Sequence, residues 1–168
     1  MMEKCLIVAI ADNLAIGKNN ALLWHIAEDM KYFKATTTGS PVIMGYMTFR
    51  SLRGPLPRRK NIVISLFPWP DAPEGVIVVK SLGEAFAEAA KEGAEKCFVM
   101  GGAYTYHEAI AFVDTLYITH VHVSIPDADA WFPEIDPSIW GECWCSGSKT
   151  DPETGYNFEF KIYKRRQA

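Results

Sequence analysis

Lys96-Cys97-Phe98-Val99-Met100-Gly101-Gly102-Ala103 carries a short apolar run into a helical pattern through two adjacent glycines. Lys96 to Met100 reads as a buried strand, Gly101-Gly102 as a turn, and Ala103 to Ala111 as a helix. Adjacent glycines directly after a strand permit backbone geometry closed to other residues. A second junction of this kind lies earlier, where Pro41-Val42-Ile43-Met44 ends at Gly45 and a helical segment runs from Thr48 onward. Glycine at a strand's carboxyl end lets a ligand approach the main chain, and a following helix offers N–H donors to phosphate. Open α/β sheets hold nucleotides at such places. Neither junction has the GxGxxG or GxxxxGK[ST] spacing, which argues against a Walker-type site.

Around these junctions the chain alternates short strands with helices. Lys4 to Ala11 is a continuous apolar run bounded by Asp12-Asn13, followed by a long loop through Gly17-Lys18-Asn19-Asn20. A helix is expected from about Ile26 to Thr38, stopped at Gly39. Asn61 to Ser65 and Gly75 to Val79 read as two more buried strands, and Leu82, Ala85, Phe86, Ala89 and Ala90 share a helical face. Thr115 to Val123, Cys143 to Lys149 and Tyr156 to Arg165 read as longer strands. In the last of these Phe158, Phe160 and Ile162 alternate with Glu159 and Lys161, the pattern of a half-buried antiparallel strand. The expected architecture is α/β: one domain over residues 1–168, with a mixed, mostly parallel sheet flanked by about four helices and antiparallel strands at the end.

Composition narrows the function. A chain of 168 residues can bury one sizeable core, and its net charge of −3 argues against a dedicated nucleic-acid binder. Lys164-Arg165-Arg166 reads as a solvated strand end. The apolar run from Cys5 to Ala11 is too short to span a membrane, and no small-residue cleavage site follows it. Cys5, Cys97, Cys143 and Cys145 form no CxxC pair, and no His spacing suits zinc, so reduced thiols, a cytoplasmic setting and no metal are expected. His25, His107, His120 and His122 read as structural or exposed.

The candidate acid lies in Ala21-Leu22-Leu23-Trp24-His25-Ile26-Ala27-Glu28-Asp29-Met30-Lys31-Tyr32-Phe33-Lys34. Asp29 stands among Trp24, Ile26, Met30 and Phe33, with Met30 and Phe33 on one apolar side. Glu28 is turned about 100° away, toward water. An ionised carboxylate on an apolar face costs several kcal/mol unless it meets a partner (roughly 1–3 in mutational data for a polar group, more for a charge). A pterin-like ring, with an amidine-type pair of N–H donors, is such a partner. A first-turn acid favoured by the helix dipole is the plainer alternative. Thr119, inside Leu116-Tyr117-Ile118-Thr119-His120, is either a β-former or a donor to a buried carboxylate. Of the three cations Arg58-Arg59-Lys60, one held by the preceding prolines can grip a carboxylate through its bidentate fork.

Taken in order, these segments resemble dihydrofolate reductase. The resemblance is carried by Ala11-Asp12-Asn13…Ile16-Gly17, Leu22-Leu23-Trp24, Glu28-Asp29-Met30, Phe33-Lys34, Pro41 to Gly45, Thr48-Phe49, Gly54 to Asn61, Val99 to Gly102, Tyr106, Leu116 to His120 and Phe132-Pro133, nearly the whole chain in family order. It implies hydride transfer from a reduced nicotinamide to C6 of 7,8-dihydrofolate. Asp29 would hold the pterin's N3 and 2-amino group with Thr119 bridging to it, and Trp24 would order the water that helps deliver a proton to N5. Ile7 and Met100 would offer backbone carbonyls at the pterin's 4-position. Met30, Phe33, Leu52 and Leu56 would line the aminobenzoyl slot with Lys34 at its edge, and Arg59 would take the glutamate α-carboxylate. Ile16 to Leu22, with Gly17 and Asn20 between them, would close over the nicotinamide, with Ala9 behind it. Gly45, Tyr46, Met47, Thr48, Ser65, Leu66, Lys80 and the run Met100, Gly101, Gly102, Ala103, Tyr104, Thr105, Tyr106 would cradle the cofactor. Such a transfer needs a closed, dry pocket holding donor and acceptor carbons within about 3–3.5 Å.

The chain departs from the family where the cofactor's 2′-phosphate is usually gripped. Tyr46 and Met47 stand where basic residues are usual, Leu66 and Phe67 follow Ser65, and Tyr104 follows Ala103. Losing a cation there removes charge-assisted hydrogen bonds, so NADH use beside the family's NADPH is expected, or Lys80 and Arg50 supply the charge. Leu23 and Ala27 replace prolines common near the loop. The resemblance also implies antifolate binding and a monomer. The alternatives are a related pteridine or pyrimidine reductase, or a folate-binding module that has lost hydride transfer.

Overall fold

Six parallel strands form the backbone of one mixed sheet, and their order explains why the early runs are apolar throughout. The structure, a computed structural model, describes residues 1–167. Its elements are β1 Glu3–Ala11, β2 Ala15–Gly17, α1 Ala27–Thr37, β3 Val42–Gly45, α2 Tyr46–Arg50, β4 Asn61–Ile64, β5 Val76–Val79, α3 Leu82–Ala90, β6 Lys96–Val99, α4 Ala103–Ala109, β7 Thr115–Val121, β8 Ala130–Trp131, β9 Trp140–Cys145, β10 Lys149–Thr150 and β11 Asn157–Arg165. The large sheet runs β10-β11-β7-β1-β6-β3-β4-β5, with β9 added on β11. β7, β1, β6, β3, β4 and β5 pair in parallel, and β11 pairs antiparallel with both β7 and β9.

Strands β1, β3 and β6 lie at the centre and are covered on both faces. Leu6, Ile43 and Val99 face one core, and Cys5, Val42, Met44 and Phe98 face another. That two-sided burial is why these strands read as unbroken apolar runs. β11 lies nearer the edge and alternates: Phe158 and Phe160 are buried while Glu159 and Lys161 lie on the other face.

Local chemistry sets the helix ends. Ser81 caps α3 by accepting from the Glu84 amide at 3.1 Å, and the Glu84 carboxylate returns to the Lys80 amide at 3.2 Å. At the end of α1, Thr38 closes the last turn onto the Lys34 carbonyl, and Gly39 follows at φ +88°.

Three expectations need correction. The strand expected over Cys143–Lys149 is two pieces, β9 and β10, because the chain turns at Gly147 (φ +81°) and β9 starts earlier, where Trp140 enters the core. The loop after Ala11 is not wholly irregular: Ala15–Gly17 pairs with Ala130–Trp131. The second helix begins at Tyr46 rather than Thr48, directly after Gly45. All four cysteines are free thiols, Cys5 and Cys97 buried, Cys143 and Cys145 exposed. Burial pushes the Cys97 thiol up to about 12, so it is inert near neutrality. No helix among the described residues is long and apolar enough to cross a membrane.

Candidate active site

The acid and its hydroxyl partner come together from elements far apart in sequence. Asp29 sits in the first turn of α1 and Thr119 in β7, where Thr119 pairs with Ala9 of β1 on one side and Phe160 of β11 on the other. Thr119 Oγ1 donates to Asp29 Oδ1 at 2.7 Å. Burial pushes the Asp29 carboxyl above its ordinary value of 3.8, and the Thr119 hydroxyl pulls it partly back. No Lys or Arg among the described residues forms an ion pair with it. Among the described residues Oδ2 has no hydrogen-bond partner, which leaves acceptor capacity for a ligand carrying paired N–H donors. Glu28, one residue away, is exposed and bridges to Lys149 at 3.0 Å, so the two neighbouring acids have different surroundings.

The wall beside Asp29 is apolar and aromatic. Trp24 packs with Ile26, Val121, Phe158 and Phe160. Tyr32, which sequence reasoning passed over, stacks on Phe160 with ring centroids 4.1 Å apart. Next to this wall Ile7, Phe33, Leu52, Leu56 and Met100 belong to one cluster around Val42, Met44 and Phe98. The expected slot residues are therefore brought together, apart from two. Met30 is 43% exposed and outside that cluster, and Lys34 is exposed.

At the far end of the slot Arg59 is partly buried beside the end of α1. Its Nη1 donates to Thr37 Oγ1 at 3.0 Å and its Nε to the Pro57 carbonyl at 2.9 Å. Thr37 Oγ1 in turn donates to the Phe33 carbonyl at 2.8 Å. Burial, then the neighbouring Arg58 cation, lowers the Arg59 pKa, which marks a guanidinium without an acidic partner. Two bonds to neutral oxygens hold its direction and leave its charge unspent.

The two glycine junctions turn out to be one feature. β3 lies beside β6, and the Gly45 amide donates to the Gly101 carbonyl at 2.9 Å. Gly101 has φ +130°, and a Cβ at Gly102 would stand 3.0 Å from Thr48 Oγ1. The Gly101–Gly102 peptide is cis. Thr48, Ala103 and the buried Thr105 and Tyr106 surround this bare backbone. The Tyr106 hydroxyl donates to the Ile7 carbonyl at 2.8 Å, so one lone pair of that oxygen is already used. Between cradle and acid runs the 12–22 segment: Ile16 and Gly17 are buried in β2, Asn20 Nδ2 donates to the Met47 carbonyl at 3.1 Å, and Leu22 is 70% exposed.

The outer end of the cradle is aromatic. Tyr46 meets Phe67 and Trp69 edge-on, with centroids 5.2 and 4.9 Å apart, and Leu66 and Tyr104 are each 81% exposed. Trp69 was invisible in the sequence because its loop carries no periodic signal. Arg50 Nη1 donates to the Tyr46 hydroxyl at 2.7 Å, which fixes its direction and leaves its charge unneutralised. Lys80 is exposed at the head of α3. Ser65 is buried, its hydroxyl turned onto the Phe67 carbonyl at 2.7 Å. Among the described residues no group of three or more His, Cys, Asp or Glu is arranged to hold a metal ion.

The family model for dihydrofolate reductase matches residues 4–165. The chain belongs to the dihydrofolate reductase family. Similar relatives are the dihydrofolate reductase of Neisseria meningitidis serogroup A, 46% identical over 166 residues (98% of this chain, 99% of the relative), and that of Bacillus subtilis, 38% identical over 162 residues (96% and 94%). A solved dihydrofolate reductase from Enterococcus faecalis, complexed with NADP(H) and RAB-propyl, superposes with a TM-score of 0.88 at 32% identity, covering 98% of this chain and 97% of that one. Within a dihydrofolate reductase the aromatic rim at Tyr46, Leu66 and Tyr104 is the part of this chain whose chemistry departs from the expected cationic pattern.

Proposed function

We propose that this chain is an oxidoreductase that reduces 7,8-dihydrofolate to tetrahydrofolate with NADPH, supporting one-carbon metabolism. Membership of the family supports the reaction, and the carboxyl of Asp29, held by Thr119 alone, is the observation that carries the reading. The two oxygens of Asp29 accept from the pterin's ring N–H and amino group, while Thr119 holds the carboxylate in place through a further lone pair of Oδ1. A carboxyl with a raised pKa retains a proton closer to neutrality, so Asp29 also serves the protonation at N5, through water ordered by Trp24. Ile7 and Met100 frame the ring, Phe33, Leu52 and Leu56 clasp the aminobenzoyl group, and Arg59 takes the glutamate α-carboxylate.

The cradle fits a dinucleotide. Gly45, Gly101 and Gly102 bring bare backbone to one place, Thr48 and Thr105 add hydroxyls, and Tyr46, Leu66 and Tyr104 offer apolar and aromatic surface for an adenosine. When bound, the reduced nicotinamide supplies the hydride. Ala9 backs its ring, and Ile16 to Leu22 exclude water above it. With Tyr46, Leu66 and Tyr104 at the rim, Lys80 and Arg50 are the cations left to meet a 2′-phosphate, and Arg50 is held on Tyr46, so NADH is accepted beside NADPH with a narrowed preference. The chain acts as a single-domain cytoplasmic monomer, binds antifolates, and has no nucleic-acid or membrane partner.

The test is the loss of reduced-nicotinamide absorbance with dihydrofolate and each nicotinamide in turn. Turnover with either supports the assignment. Tight folate binding without turnover favours a binding module, and turnover only with a pterin lacking the glutamate favours a related pteridine reductase.

A further inference from the structure

The turn that presents Leu56 and Arg59 is held from outside itself, and one buried side chain makes three of the bonds. Asn61 opens β4, where its main chain stands between Val42 of β3 and Val76 of β5. Its side chain is 1% exposed and bonds the turn that precedes it. Oδ1 accepts from the Leu56 amide at 2.8 Å, and Nδ2 donates to the Leu56 and Arg59 carbonyls, both at 2.9 Å. Both donors and one lone pair of the acceptor are thus used.

The main-chain carbonyls of residues 56–60 are satisfied one by one. Asn61 takes those of Leu56 and Arg59, and Arg59 Nε takes that of Pro57 at 2.9 Å. The Gly39 amide takes that of Arg58 and the Val42 amide that of Lys60, each at 2.9 Å. Among the described residues no main-chain bond within the turn closes it. Arg58 sits at φ +57°, a left-handed conformation that a non-glycine residue keeps where its surroundings impose it. The 39–42 segment and Asn61 therefore set the shape of this turn. A planar amide matches the N–H and C=O of one residue along a single edge. Asp lacks the donors, and Gln is one methylene longer.

Leu56 joins the slot cluster with Phe33 and Leu52, and Arg59 is aimed at its far end. We propose that Asn61 is a positioning residue for the substrate's aminobenzoylglutamate arm, placing the slot wall at Leu56 and the guanidinium of Arg59 together. The proposal rests on the dihydrofolate reading of the cleft. Anchored between two strands, the amide holds both groups from a rigid element.

Asn61→Asp keeps the size and the acceptor and removes both donors, and Asn61→Ala removes all three bonds. In both, KM for dihydrofolate is expected to rise about tenfold without a fall in kcat. A dihydropterin lacking the aminobenzoylglutamate arm, and the cofactor, should bind variant and wild type alike. An unmoved ratio of kcat/KM for the two substrates overturns the proposal, whether both are lost together or only the thermal midpoint falls. Should neither variant fold, NMR of the wild-type Asn61 side-chain amide decides. Its signals should shift with folate and stay in place with the short pterin; an equal response to both, or none, overturns the proposal. Wild-type turnover of dihydrofolate tests the underlying reading separately.

Discussion

Thr119 Oγ1 and Asp29 Oδ1 meet at 2.7 Å although ninety positions separate them in the chain. The bond aims a carboxylate that the surrounding apolar wall makes costly to ionise, and the first prediction concerns that cost. Because the folded-state pKa of Asp29 is raised, the native state holds the proton more tightly than the unfolded chain. Stability from this group is therefore fully present below the ordinary value of 3.8, falls as pH rises from there through the raised folded value, and stays lower above it. Asp29→Asn removes the ionisation penalty. It is expected to raise the thermal midpoint at neutral pH relative to wild type, with the gain vanishing in acid, while turnover drops by about 10²–10⁴-fold. Calorimetry and steady-state rates at two pH values check both halves.

Thr119→Val keeps the shape and deletes the donor. Since the hydroxyl lowers the Asp29 pKa, its loss should move the carboxyl further up. The pH midpoint of kcat/KM that reports Asp29 is expected to shift to higher pH, and folate binding to weaken by about tenfold or more, as for a lost hydrogen bond to a charged group. An unmoved pH profile would remove Thr119 from the site.

Arg59 is aimed by Thr37 and the Pro57 carbonyl and has no acid of its own. Arg59→Gln is expected to weaken binding of a substrate with a glutamate tail by about 10–100-fold. A pterin lacking that tail should bind wild type and variant alike. Fluorescence titration with both ligands separates this role from a general loss of packing.

Gly102→Ala would place a methyl carbon 3.0 Å from Thr48 Oγ1, tighter than most real Cβ contacts, so Thr48 must give way by a few tenths of an ångström. Cofactor affinity is expected to fall by about tenfold, with folate binding in the absence of cofactor unchanged. Titration of the two ligands separately measures this.

At the aromatic rim, Tyr46→Arg restores a cation and also releases Arg50 from its 2.7 Å bond. The ratio of kcat/KM for NADPH over NADH is expected to rise by about tenfold or more, and the gain should shrink as salt is added. A wild-type preference for NADPH already strong and salt-sensitive would contradict the neutral reading of this rim.

Much of the candidate site was legible because its residues sit in local patterns. Asp29 was visible as an acid on an apolar helix face, and the glycines as breaks between strand and helix. Other parts were not. Trp69 lies in a loop without a periodic signal and Tyr32 off the apolar side that Met30 and Phe33 mark, and their roles come from Tyr46, Phe49 and Phe160 reaching them across the fold. Cys143–Lys149 read as a strand by composition, yet register with β11 shifts between Ile162 and Tyr163, and the chain turns before Lys149. Met30 looked equivalent to Phe33 by helical spacing but is exposed, because burial depends on what the sheet places opposite each side chain.

By itself the order of residues determined the α/β class, the apolar central strands, the acid in the first turn of α1 and the missing cations at the rim. These follow from side-chain period and chemical type, which act over a few residues. Only the tertiary structure decided that Gly45 donates to Gly101 and that Thr119 reaches Asp29. Those contacts join segments distant along the chain, and strand order and register set them.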